Sequence, residues 1–183
     1  MRKRGFTLIE LLIVVAIIAI LAAIAVPNFL EAQTRSKVSR AKADMRSLAT
    51  ALEAYRVDNT SYPVGKLRDY PLAWRLSYLT TPVAYITSTP MDPFHVLGSH
   101  TDYVARDAYD YFDEESAQPS HPWGWTLFGR RWRLTSAGPD LIASWATMPP
   151  YDASNGTKSV GDIVILQGSS DYNYLPLLLE YSP

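Results

Sequence analysis

The sequence predicts an α+β protein in which one long N-terminal helix packs against a small antiparallel sheet. Three features carry that expectation. There is an apolar run from Leu11 to Val26, then a charged continuation from Asn28 to Asp58 with no Gly or Pro, and then a remainder where prolines, aromatics and short β-branched runs take over. The 183 residues suffice for one medium domain with an N-terminal extension.

The segment Phe6 to Val26 is interrupted only by Thr7 and Glu10, and as a helix at about 1.5 Å per residue it reaches roughly 30 Å, the thickness of a bilayer core. Arg2, Lys3 and Arg4 precede it and no comparable cluster follows, which predicts a cytoplasmic N-terminus and an exported remainder. A secretory signal has about 7–15 apolar residues and then a small-x-small cleavage site. Here the run is longer and passes straight into charged, helix-forming sequence.

In that second half Val38, Ala41, Met45, Leu48, Leu52 and Tyr55 recur at steps of three and four, which places them in one stripe on a helix. Arg35, Lys37, Arg40, Lys42, Asp44, Arg46 and Glu53 fall on the other face, toward water or a neighbouring subunit. Residues 1–58 thus read as one helix of about 80 Å, apolar all round and then amphipathic, with Pro27 as the expected kink.

Past Asp58, the cluster Asn59-Thr60-Ser61-Tyr62-Pro63 stops the helix, because Pro63 disfavours helical backbone at Tyr62. "PLAWRLSYL" predicts a short helix with Leu72, Leu76 and Leu79 on one face. "YDYF", "WTLFGRRWRLTS" and "GDIVILQG" are aromatic or β-branched runs bounded by Gly, Pro and Asp, as strands are. A sheet of these strands laid on the Val38 to Tyr55 stripe buries it.

Several chemistries are excluded or unsupported. With no cysteine there is no disulfide, thiolate zinc site or cysteine nucleophile. A net charge of −1 gives no overall basic field of the nucleic-acid-binding kind. Asp102, Asp107, Asp110, Asp113, Glu114 and Glu115 form an acidic segment that reads as a solvated loop. His95, His100 and His121 lack metal-like spacing, and nothing resembles a nucleophile elbow. An EF-hand reading of Asp152 to Ile163 fails on its glycine position and its twelfth residue, so Asn155-Gly156 reads as a turn between strands. Trp123, Trp125, Trp132 and Trp145 suit a buried core more readily than ligand stacking, and the Asn59 and Asn155 sequons lack supporting context.

Glu10 stands out, since a carboxylate at the head of a bilayer-spanning run costs a few kcal/mol unless something neutralises it. The stretch Arg4-Gly5-Phe6-Thr7-Leu8-Ile9-Glu10-Leu11-Leu12 resembles the class III signal of type IV pilins and type II secretion pseudopilins. The resemblance implies a pilin-like fold, cleavage after Gly5 by a prepilin peptidase, N-methylation of Phe6 and use of Glu10 in assembly. It divides the chain into a leader over 1–5, a transmembrane and assembly helix over 6–27, an amphipathic helix over 28–58 and an exported α+β domain over 59–183. Cleavage creates an α-amino group on Phe6, and in a stack of parallel subunits that amine is the natural partner for Glu10 of a neighbour.

"DNTSYP", "YLTTPVAYITSTPMDPF" and "LTSAGPD" followed by "GDIV" resemble, in order, landmarks of the major pseudopilin subgroup. That resemblance implies a calcium site from Ser136, Asp140 and Asp162, with Asp152 a further candidate, although Pro139 and the longer stretch before Asp162 depart from the pattern. It also implies the chain's partners: itself as a helical homopolymer, minor pseudopilins, an inner-membrane assembly platform, the prepilin peptidase and the lipid bilayer. The expected protein is a single-pass inner-membrane precursor of a periplasmic filament. A surface pilus for adhesion, motility or DNA uptake and a membrane-anchored binding module are the competing readings.

Overall fold

The structure, a computed structural model, describes residues 6–65, 72–94, 108–116, 127, 130–142, 144, 149–154 and 159–168. Its axis is one α-helix, α1 (Leu8–Asn59), of 52 residues. Thr7 caps its N-terminus with extended backbone, and Thr60 ends it in the left-handed region (φ 61°), where its N–H donates to Arg56 O at 2.8 Å. The helix runs without interruption through Pro27, although that residue supplies no backbone donor.

From Phe6 to Leu30 every side chain is exposed, and this half of α1 is long and apolar enough to cross a membrane. The second half is buried along the stripe expected from spacing, at Val38, Ala41, Met45, Leu48 and Leu52, with Ala51 joining them and Tyr55 packed at the edge. The opposite face departs from expectation at two places. Glu53 accepts from the Tyr62 hydroxyl and the Trp132 indole, and Asp44 accepts from the Tyr109 hydroxyl, so both carboxylates are turned to the domain. Arg35, Lys37, Arg40 and Arg46 remain exposed.

After the Tyr62-Pro63 exit the chain forms a 3-10 helix, η1 (Leu72–Leu79), which buries Leu72, Leu76 and Leu79 as the sequence suggests, together with Arg75. Three strands follow, β1 (Asp110–Asp113), β2 (Trp132–Ser136) and β3 (Ile163–Leu166), antiparallel in the order β1-β2-β3. Tyr111 pairs with Leu134 and Leu134 with Ile165, and this row faces α1. One core therefore joins the helix stripe, η1 and one face of the sheet. The other face is buried too. There Arg133 lies opposite Phe112 with its guanidinium 5.0 Å from the ring centroid, and Asp110 accepts from both Arg75 and Arg133. Asp110 and Asp113 are thus buried strand residues and not part of a solvated acidic loop; Glu114 and Glu115 are exposed, and Asp102 and Asp107 lie outside the described residues. His95, His100, His121, Trp123, Trp125, Trp145 and the Asn155-Gly156 turn lie outside the described residues.

Candidate functional site

The first site is the head of α1. Thr7 Oγ1 accepts from the Glu10 N–H at 3.3 Å, while the Glu10 carboxylate accepts from the Thr7 N–H at 2.8 Å and the Thr7 hydroxyl at 2.7 Å. This is a capping box, a reciprocal closure of free helix-end donors that the spacing Thr-x-x-Glu already encodes. Glu10 is therefore not without a partner in the single chain, but among the described residues that partner is Thr7, which is neutral and does not match its charge. Phe6 precedes the cap and is 74% exposed, so the residue expected to carry the methylated amine stands one turn from the carboxylate, free of the domain. Gly5 lies outside the described residues. Pro27 sits inside α1, beyond any contact with the sheet domain.

The second site is the corner where β2 ends and β3 begins. Ser136 pairs with Ile163 across the sheet. Gly138 and Gly161 meet backbone to backbone: a Cβ on Gly138 would lie 2.7 Å from Gly161 O, and one on Gly161 would lie 1.9 Å from Pro149 O. Both have positive φ, which explains the glycine in each of the two motifs.

Asp140 bridges this corner, one oxygen accepting from Ile142 N–H at 3.1 Å and the other from Gly161 N–H at 3.0 Å. The fully buried Asp162 accepts from Ser144 N–H at 3.0 Å. Ser136 Oγ donates to Asp92 at 2.9 Å, and Asp92 also accepts from Phe94 N–H, which accounts for the Pro-x-Asp-Pro turn. Ser136, Asp140 and Asp162, the residues expected to bind calcium, thus all lie at the β2-β3 corner, but their side chains bond to different partners: Asp92, the Ile142 and Gly161 N–H groups, and the Ser144 N–H. Among the described residues no group of three or more acidic, histidine or cysteine side chains is placed to hold a metal. Asp152 is exposed, and the Ser154 N–H holds its carboxyl below the usual value. Asp92 is the corner residue that spacing alone does not single out.

The remaining tryptophan from the aromatic-rich segment, Trp132, is buried at 1% exposure, so it packs the core and offers no stacking surface. An uninterrupted helix, apolar and unburied in its first half and carrying a small sheet domain on its second, defines a pilin-like architecture.

Comparison with known proteins agrees. Residues 1–26 match the prokaryotic N-terminal methylation motif, and residues 28–113 match the family described as type II secretion system (T2SS), protein G. The type II secretion system core protein G of Escherichia coli is 33% identical over 98 residues, 51% of this chain and 68% of that protein. The protein of the same name from Pseudomonas aeruginosa is 45% identical over 62 residues, 34% of this chain and 44% of that one. The type IV major pilin protein PilA of Myxococcus xanthus is 57% identical over 61 residues, 33% of this chain but only 28% of its own length. The chain thus spans less than half the length of two of these three relatives. No solved structure matches significantly. The chain belongs to the type II secretion system protein G family.

Proposed function

We propose that this protein is the structural subunit of a type II secretion pseudopilus. The precursor is held in the inner membrane by residues 6–27 with its N-terminus cytoplasmic and its sheet domain periplasmic. A prepilin peptidase cuts between Gly5 and Phe6 and N-methylates Phe6, and the helices then stack into a homopolymer whose growth drives protein export. Minor pseudopilins and the inner-membrane assembly platform are the partners this reading requires.

The observation that carries the reading is the capping box at the head of a bare apolar helix. It ties the Glu10 carboxylate to Thr7 one turn from Phe6, a neutral partner that does not match its charge. In a low-dielectric stack the Phe6 amine of one subunit satisfies Glu10 of the next only in one axial register, so the pair selects the register as well as removing a buried charge. Pro27 is the place where α1 bends once the helix is packed in the filament, since it already lacks one helical hydrogen bond. N-terminal mass spectrometry tests the reading directly. The mature protein should begin at methylated Phe6, and an intact Met1 in filament-derived protein overturns it.

A type IV pilin is the second reading, favoured by the 57% identity to the Myxococcus xanthus pilin over 61 residues. Fibres containing this chain on the outer cell surface, seen by immunogold imaging, select it over the pseudopilus. The corner of Ser136, Asp140 and Asp162 is assigned to calcium within either reading. Calcium should raise the melting temperature and a chelator should lower it, and an identical melting temperature in both removes the assignment.

A further inference from the structure

Val38 is the first buried residue of α1, and Glu31 and Thr34 before it are half-buried, so the helix emerges from the sheet domain over residues 31–38. The corner of the second site lies toward that end of the domain. Strand β2 starts at Trp132, whose indole meets Glu53, and runs back along α1 toward its N-terminus; Tyr109, next to β1, already reaches Asp44. Tyr151 packs on the core and donates its N–H to Asp162 O at 3.0 Å. Burial pushes the Tyr151 hydroxyl up, and the Arg35 guanidinium partly offsets this.

Three apolar side chains project from this end into solvent: Leu141 at 50% exposure, Ile142 at 63% and Val160 at 61%. Asp140 gathers them, because its two oxygens bind the N–H groups of Ile142 and Gly161 and so join the two loops. Leu141 holds φ at 60°, a left-handed conformation that is uncommon for a residue other than glycine and carries a strain cost. The chain thus adopts an unfavourable backbone where it displays an apolar side chain.

The helix supplies the scale. Leu8 to Leu30 is exposed and predominantly apolar and spans about 33 Å, slightly more than the roughly 30 Å of hydrocarbon in a bilayer, which favours a modest tilt. Arg35 then lies about 8 Å past the hydrocarbon edge, at the outer limit of a headgroup layer of roughly 5–8 Å. Exposed Lys37 and Arg35, the latter paired with Glu31, lie there, and the β2-β3 corner is at the end of the domain on that side.

We propose that Leu141, Ile142 and Val160 form a lipid-docking tip, which rests the sheet domain on the outer surface of the membrane while the subunit is stored there. The inference depends on the membrane-held precursor described above. The tip continues the established apolar surface of α1 across a short cationic collar, an arrangement suited to an anionic bilayer interface. Docking at two points fixes the tilt and rotation of the stored subunit, and extraction into a filament then has to release the tip as well as the helix.

The chain has no cysteine, so single thiols can be introduced and labelled cleanly. The full chain is reconstituted in vesicles of phosphatidylethanolamine and phosphatidylglycerol, with a polarity-sensitive fluorophore on Ile142→Cys, Val160→Cys, Val14→Cys in the spanning helix, or Val57→Cys at the far end of α1. Quenching by nitroxide lipid and by aqueous iodide is measured for each. The labels on Ile142→Cys and Val160→Cys should emit to the blue of Val57→Cys, be quenched by the lipid nitroxide and be shielded from iodide.

If both behave like an iodide-quenched Val57→Cys while Val14→Cys stays lipid-quenched, the tip does not dock and the membrane anchor stands. If Val14→Cys is itself open to iodide, the anchor reading falls and the tip with it. Iodide shielding without lipid quenching, growing with protein density in the vesicle, assigns the patch to a second copy and overturns lipid docking.

Discussion

The Trp132 indole donates its Nε1–H to Glu53 Oε1 at 3.2 Å, joining the start of β2 to the C-terminal third of α1. The same carboxylate accepts from the Tyr62 hydroxyl, which in turn accepts from Gln167 Nε2 at 2.7 Å and Arg56 at 3.2 Å. Helix, helix exit, β2 and the end of β3 therefore meet at one side chain. Trp132 and Tyr62 also pack edge to face, with ring centroids 6.4 Å apart.

Replacing Glu53 by Ala should destabilise the full chain by about 1–3 kcal/mol, because two part-buried donors lose their acceptor. Glu53→Gln keeps an acceptor and should lose less. Thermal unfolding in detergent followed by near-ultraviolet circular dichroism ranks the two, and equal melting temperatures for Glu53→Ala and the native chain contradict the role given to this hub.

Asp110 on β1 is buried between Arg75 of η1 and Arg133 of β2 and accepts from both. Removing a single acid from such a cluster takes away a carboxylate shared by two buried guanidinium groups, and breaking a buried ion pair by removing one partner typically costs about 3–5 kcal/mol. Asp110→Ala should therefore be more damaging than Glu53→Ala, and Asp110→Asn should not rescue it, since an amide restores a hydrogen bond but no charge. Urea midpoints in detergent give the order.

Alkaline pH should unfold the domain through two tyrosines. Burial, with Asp92 and Asp44 adding to it, pushes the Tyr109 hydroxyl far up, and burial, with Asp113 adding to it, does the same for Tyr111, which donates to Pro63 O at 2.8 Å. Both are raised in the folded state, so their contribution is fully present below the ordinary tyrosine value of 10.0 and declines as pH rises above it, where only the unfolded chain ionises. Tyr111→Phe should flatten the alkaline limb of the stability curve. An unchanged slope above that pH in the variant argues against this origin.

Glu10→Val should leave membrane insertion intact or improved while abolishing filament assembly, since it removes a costly charge from the apolar segment together with the partner proposed for the Phe6 amine. Fractionation measures the first effect and electron microscopy of sheared filaments the second. Thr7→Val removes only the cap hydroxyl and should weaken assembly less. Filaments of normal length from Glu10→Val would remove the assembly role.

Local order along the chain was enough to define α1. Hydrophobic spacing alone locates the buried stripe from Val38 to Leu52, and Gly-Phe-Thr-Leu-x-Glu alone carries the resemblance to the N-terminal methylation motif that the chain matches, because each depends on a contiguous run of the sequence. Strand positions follow in part: "YDYF" overlaps β1 and "GDIVILQG" contains β3, but of "WTLFGRRWRLTS" only the last five residues form β2. What pattern could not decide was which polar residues turn inward. Glu53 and Asp44 sit among exposed cations in the sequence yet are drawn to the sheet domain, because Trp132, Tyr62 and Tyr109 present buried donors that need acceptors. Asp110 reads as part of a solvated acidic run until Arg75 and Arg133 arrive from elements far along the chain. The corner of Ser136, Asp140 and Asp162 and the apolar tip beside it likewise come from two loops brought together by the β2-β3 pairing. Short-range periodicity reports the backbone and its apolar face, whereas satisfaction of buried charge is a long-range condition that only the packed domain can set.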